Sequence, residues 1–168
     1  MNATINADIE ALGALCLAGG IQCAVAESCT GGLLGAHLTR LPGASRWFAG
    51  GIVAYDNRVK TQLLGIEPDL LRAHGAVSEQ AALGMAQGVC ELLHVHAALS
   101  VTGIAGPDGG SLEKPVGLVW IGCTLHGAAQ ARAFRLQGSR EEVRQAACFE
   151  AIRSLLALLR ASSRTSRL

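Results

Sequence analysis

A three-layer α/β/α sandwich around a mixed, mostly parallel sheet is the fold class this sequence predicts. Three observations carry it. Short apolar runs that read as buried strands (22–26, 50–55 and 97–101) alternate with segments whose apolar residues recur at helical spacing. Two later β-rich runs, 116–125 and 130–136, flank His126-Gly127 and read as an antiparallel hairpin added to the sheet. Hydrophobic residues make up 50% and charged residues 16% of the 168, which suits one folded domain with a sizeable core.

Each element follows from its residues. An opening helix over 7–17 puts Ile9, Leu12, Leu15 and Cys16 on one face and ends at Gly19-Gly20. The strand at 22–26 leads into a hydroxyl-rich turn and a helix at about 30–41, broken by Leu41-Pro42-Gly43. After the second strand, Asp56 is placed to cap a short helix over 57–64 that carries Lys60. Another short helix is expected over 68–73. Ser78 reads as the N-cap of a longer one over 79–93, with Glu79 at its positive end. Ser139-Arg140-Glu141-Glu142 has the capping-box pattern and opens a last helix through about 160. The expected organisation is a single domain over 1–160 and a fraying, polar, basic tail over 161–168.

Composition excludes several classes. A net charge of +1 gives no electrostatic reason to expect nucleic acid or an anionic membrane as partner. No apolar run approaches the roughly 20 residues of a membrane span, and the first ten residues lack a basic stretch followed by an apolar one. A cytoplasmic protein is the expectation. The six cysteines form no C-x-x-C pair and lie mostly in apolar segments, so they read as buried free thiols. Cys29 alone is placed to be reactive, although a structural role is the better reading. Glu27 and Glu113 lack partners for a metal site, and His94-x-His96 reads as a helix-to-strand junction. Neither metal nor cofactor is expected.

The chemistry concentrates in Ala26-Glu27-Ser28-Cys29-Thr30-Gly31-Gly32. A turn between strand and helix offers unpaired N–H groups to developing negative charge, and glycines such as Gly31 let a substrate approach the main chain. Ser28 can therefore be a nucleophile, or Ser28 or Thr30 can simply cap the helix; spacing alone favours the cap. Ser28, Tyr55 and Thr102 all fall near strand carboxyl ends, where open α/β sheets bind ligands. The irregular stretch 102–115 reads as a functional loop in which Thr102 and Gly103 can meet a substrate. Arg140 and Arg144, four apart at a helix start, can grip an anion or can balance Glu141 and Glu142.

Six stretches in order, AESCTGG (26–32), PGASRWFAGGIVAYDNRVK (42–60), LLGI (63–66), HGAVSE (74–79), VTGIAGPDGG with EKPVG (101–117) and GSREEVR (138–144), together resemble the CinA C-terminal domain. That family is known as a nicotinamide-nucleotide amidase and sometimes carries an additional N-terminal domain; this chain resembles its stand-alone form. The resemblance implies hydrolysis of nicotinamide mononucleotide to nicotinic acid mononucleotide and ammonia by a Ser/Lys pair. By motif the serine is Ser28 and the lysine Lys60, with Tyr55 as proton relay or positioner. Substrate contacts fall to Thr30, Gly31, Ser45, Thr102, Gly103, Arg140 and Arg144. Two positions depart from the family pattern: Ala44 replaces the first serine of Pro-Gly-Ser-Ser, and Ser139 replaces the aspartate of Gly-Asp-Arg.

Such a lysine works only if burial or nearby positive charge lowers its pKa from about 10.4, so Lys60 is expected to be enclosed with no fixed carboxylate beside it. The implied partner is a small pyridine nucleotide, with no nucleic acid or membrane; the sequence leaves homo-oligomerisation open. The rival readings are a catalytically weak nucleotide-binding module and a competence- or damage-associated interaction protein of the same fold.

Overall fold

The computed structural model describes residues 2–165 and has the expected layers. Its elements are α1 (Asn2–Gly19), β1 (Cys23–Glu27), α2 (Leu33–Leu38), a 3-10 turn (Ala44–Arg46), β2 (Phe48–Val53), α3 (Asn57–Gln62), α4 (Pro68–His74), α5 (Glu79–Leu92), β3 (Ala97–Gly103), β4 (Leu118–Leu125), β5 (Ala128–Arg135) and α6 (Arg140–Thr165). The strands form one sheet in the order β2-β1-β3-β4-β5. β2, β1 and β3 are mutually parallel, while β4 is antiparallel to both β3 and β5. Four of the five strands thus run the same way.

Alternation along the strands divides the core. Cys23 and Val25 of β1 face one side with Leu99 and Val101 of β3, where Ile5, Ile9, Leu12 and Cys16 of α1 and Ile152 and Leu155 of α6 complete the larger cluster. Ala24, Ala26 and Ala98 face the other side, against Met85 and Val89 of α5 and Leu64 and Ile66 after α3. Each fully buried leucine or isoleucine contributes about 1.5–3 kcal/mol by leaving water. Small residues in β1 and β3 let α5 lie close to the sheet. Gly88 brings α5 against the segment after α3 in the same way, because a Cβ there would meet the Leu64 carbonyl group, with its carbon at 2.7 Å.

Local caps form where the residues call for them. Asp56 accepts from Arg58 N at 2.7 Å and Ser78 from Ala81 N at 3.1 Å. Glu142 accepts from Ser139 N at 2.7 Å while Ser139 Oγ accepts from Glu142 N at 3.4 Å, the reciprocal capping box. The hairpin turn forms at His126 and Gly127, both with positive φ (48° and 84°).

Several boundaries differ from expectation. The helix after β1 starts only at Leu33, since Gly31 and Gly32 both take positive φ (59° and 97°). β3 continues to Gly103, so Thr102 lies inside a strand. α6 runs to Thr165 because no glycine or proline follows Gly138 and Leu155, Leu156 and Leu159 stay buried. The described part of the expected tail is therefore helical; 166–168 lie outside the described residues. Among the described residues no helix is long and apolar enough to cross a membrane.

Candidate functional site

The site forms where β1 and β2 end beside β3. Glu27 pairs with Val53 on one side and Val101 on the other, which brings the ends of β1 and β2 level, while β3 runs two residues further. The main-chain ladder continues past them: Ser28 N donates to Val101 O at 2.8 Å and Ala54 N to Glu27 O at 2.7 Å. Ser28 is thereby fixed to β3, and the turn that leads into α3 is fixed to β1.

Ser28 does not cap the helix. Glu27 does, with a side chain only 1% exposed that accepts from Gly32 N (3.0 Å), Leu34 N (3.0 Å) and Gly35 N (2.8 Å). This frees the Ser28 hydroxyl, and Lys60 Nζ lies 3.2 Å from it. The amine also donates to Ala54 O at 2.7 Å and Tyr55 O at 3.3 Å. Lys60 is 1% exposed, and among the described residues no carboxylate is hydrogen-bonded to its amine.

Burial pushes the Lys60 pKa down, opposed by the negative charge of Asp56 and by Cys29. Asp56 is itself engaged by Arg58. Burial favours the neutral amine. Nζ donates to the Ala54 and Tyr55 carbonyls and to Ser28 Oγ; once deprotonated, it keeps two N–H bonds for the carbonyls and has a lone pair for the serine O–H. A pair of this kind can take a proton from the hydroxyl as it attacks and return it to a leaving group.

The turn around Ser28 leaves few donors for an anionic oxygen. Gly31 N donates to Ser28 O and Leu33 N to Thr30 O, while the amides of 32, 34 and 35 serve Glu27. Among the described residues, the N–H groups of Cys29 and Thr30 meet no main-chain carbonyl. The expectation that unpaired amides at the helix start receive a ligand's negative charge is corrected there: the Glu27 carboxylate holds those of 32, 34 and 35. Cys29 is 6% exposed and its thiol is pushed up to about 11, first by burial, so it stands as a protonated thiol.

Two arginines of α6 reach the same end of the sheet. Arg140 donates from Nη1 to Gly106 O at 2.7 Å and from Nη2 to the Tyr55 hydroxyl at 3.0 Å. Arg144 donates from Nη2 to Thr30 O at 2.8 Å and pairs with Glu141 at 2.7 Å. Gly31 is exposed beneath Arg144, while the Thr30 hydroxyl is buried with no partner among the described residues. Ser28, Lys60, Tyr55, Thr30, Gly31, Arg140 and Arg144 are thus brought together.

Three other expected contacts are not. Ser45 sits in the 3-10 turn before β2, at the strand amino ends, opposite Ser28. Thr102 points to the α5 face, where its hydroxyl donates to Ala76 O at 2.7 Å. Gly103 packs against β4: a Cβ there would lie 2.7 Å from Leu118 O, so its lack of a side chain serves strand pairing. The Tyr55 hydroxyl meets Arg140 instead of Ser28; the main-chain carbonyl of Tyr55 is what reaches Lys60. Glu27 is the residue that sequence reasoning missed. The signal was an acidic residue at a strand end followed by a turn with two glycines.

The family model described as the CinA C-terminal domain matches residues 6–159. The chain belongs to the CinA family. A CinA-like protein from Dictyoglomus turgidum is 47% identical over 130 residues, covering 77% of this chain and 32% of that protein. A putative competence-damage inducible protein from Moorella thermoacetica is 45% identical, covering 89% of this chain and 36% of its own length. The chain spans about a third of the length of these curated CinA relatives. The crystal structure of the competence/damage inducible protein CihA from Agrobacterium tumefaciens superposes with a TM-score of 0.84 at 40% identity, covering 90% of this chain and 95% of that one. Among the described residues, no group of three or more His, Cys, Asp or Glu side chains of this CinA domain is placed to hold a metal ion.

Proposed function

We propose that the chain is an amidohydrolase that converts nicotinamide mononucleotide to nicotinic acid mononucleotide and ammonia through Ser28 and Lys60. The observation that carries the reading is the enclosed Lys60 amine, 3.2 Å from the Ser28 hydroxyl and held by two carbonyls instead of a carboxylate.

In this mechanism the neutral amine takes the hydroxyl proton as Ser28 Oγ attacks the carboxamide carbon. The carbonyl oxygen becomes negative and is met by the amides of Cys29 and Thr30. Lys60, now an ammonium, passes its proton to the departing nitrogen, and ammonia leaves an acyl-serine. Water attacks the acyl carbon, Lys60 accepts its proton, and the collapse of that intermediate returns the proton to Ser28 Oγ. The product acid then ionises to solvent.

Arg140 and Arg144 are assigned to the phosphate. A guanidinium has five N–H donors, so Arg140 retains unused ones beside its contacts with Gly106 and Tyr55. Ser139 caps α6 through its hydroxyl and amide, which keeps the helix start intact without the family's aspartate. Tyr55 serves through its carbonyl on Lys60 and its hydroxyl on Arg140.

Incubating the purified protein with nicotinamide mononucleotide tests the reading. Ammonia and nicotinic acid mononucleotide formed in equal amounts support it. Tight nucleotide binding without ammonia points instead to a binding module.

A further inference from the structure

The Glu27 carboxylate is buried, faces no arginine or lysine among the described residues, and is satisfied by three amides of the turn and helix that follow Ser28. Gly35 is matched to it, since a Cβ there would lie 3.4 Å from Oε1. A helix start normally offers such amides to a ligand's negative charge. Here a resident anion holds them, one residue from the proposed nucleophile.

Its field reaches the neighbouring Cys29, where the Glu27 charge raises the thiol pKa against the larger lowering by Arg140 and Arg144. Resting on the amidase reading, we infer that Glu27 is a specificity-determining residue whose buried carboxylate favours the neutral carboxamide substrate over the carboxylate that hydrolysis produces.

The two anionic species of the reaction are treated differently. The tetrahedral oxyanion forms beside a newly protonated Lys60, so its charge has a local counter-ion. The product carboxylate faces a Lys60 that has returned to the amine, held by Ala54 O and Tyr55 O. The Glu27 charge repels it, against the attraction of Arg140 and Arg144, and repulsion of the wrong ligand is an effective source of discrimination. Arg140 and Arg144 are the same in every variant, so their contribution cancels when the amide-to-acid ratios with and without the Glu27 charge are compared.

Calorimetric binding of both nucleotides to Ser28→Ala, which cannot turn them over by this route, tests the inference. The amide is expected to bind more tightly than the acid. Adding Glu27→Gln is expected to shift the ratio toward the acid by on the order of tenfold. Glu27→Asp, which keeps the charge, is expected to leave the ratio within about twofold. An unchanged ratio in Glu27→Gln overturns the inference. So does an acid bound as tightly as the amide when Glu27 is in place, a result that needs no Glu27 variant to fold. If neither nucleotide binds to Ser28→Ala, the pyridine-nucleotide reading itself fails and the inference falls with it.

Discussion

Arg140 ties the start of α6 to the turn after β2, with Nη2 3.0 Å from the Tyr55 hydroxyl. Its Nη1 meets Gly106 O at 2.7 Å, so one side chain spans two loops at the rim of the Ser28 site. If Arg140 anchors the phosphate, Arg140→Glu is expected to raise KM for the nucleotide by roughly a hundredfold, as loss of a charge-assisted contact plus repulsion implies. Tyr55→Phe is expected to raise KM by only a few fold and to leave kcat nearly unchanged, because the hydroxyl touches Arg140 and not Ser28. Steady-state kinetics of both variants check this; a collapse of kcat in Tyr55→Phe would restore the hydroxyl to the proton path.

Burial lowers the Lys60 pKa, which fixes the sign of two pH effects. With Lys60 as the proposed base the reaction needs the unprotonated amine, so kcat/KM is expected to fall as pH drops through the lowered Lys60 value. Stability follows from linkage. In the window between the lowered folded value and the unfolded value of about 10.4, the unfolded chain binds more protons than the folded one. The stability of wild type relative to Lys60→Met is therefore expected to rise with pH across that window and to level off above it. Denaturant unfolding at a series of pH values measures the slope, and a negative slope would contradict an enclosed, desolvated amine.

Cys29 follows Ser28 directly, yet its thiol is pushed up to about 11 and its side chain is 6% exposed. Cys29→Ala is expected to keep activity within about threefold, since the proposed mechanism uses the Cys29 amide and not its thiol. Iodoacetamide at neutral pH is expected to leave activity intact. Rapid inactivation that Cys29→Ala abolishes would move the nucleophile from serine to cysteine.

Gly88 lets α5 lie against the carbonyl of Leu64, just after the helix that carries Lys60. Gly88→Ala places a methyl group into that backbone contact and is expected to cost about 1–3 kcal/mol or more, overriding the gain in helix propensity. Thermal and denaturant unfolding give the measurement. A neutral or stabilising result would mean that α3 and α5 separate without cost.

The fold was legible because its signals are local. Apolar runs marked the strands, His126-Gly127 marked the hairpin, and Asp56, Ser78 and the Ser139/Glu142 box each bond to amides within three residues. Glu27 was not legible in the same way. Its acceptor sits in a strand, its donors are five to eight residues later, and two positive-φ glycines fold the chain back to bring them together.

Ser28 and Lys60 meet because the register aligns β1 with β2; the resemblance supplied that pairing, and spacing alone did not. Ser45 could have been placed by topology, since a residue before a strand lies at its amino end while the site lies beyond the carboxyl ends. Thr102 was misplaced by a strand two residues longer than its apolar run. Alternation then turns Ser100 and Thr102 to the α5 face, where both hydroxyls bond to carbonyls of the helix or of the turn before it.

The contact of Lys60 with Ser28 is tested most directly by ammonia release from nicotinamide mononucleotide, measured for wild type, Ser28→Ala and Lys60→Ala after each is shown to be folded. Expected is turnover by wild type and a loss of at least about a thousandfold in kcat for both variants, since nucleophile and base act as one unit. Activity that survives either substitution would contradict a reaction run by this pair.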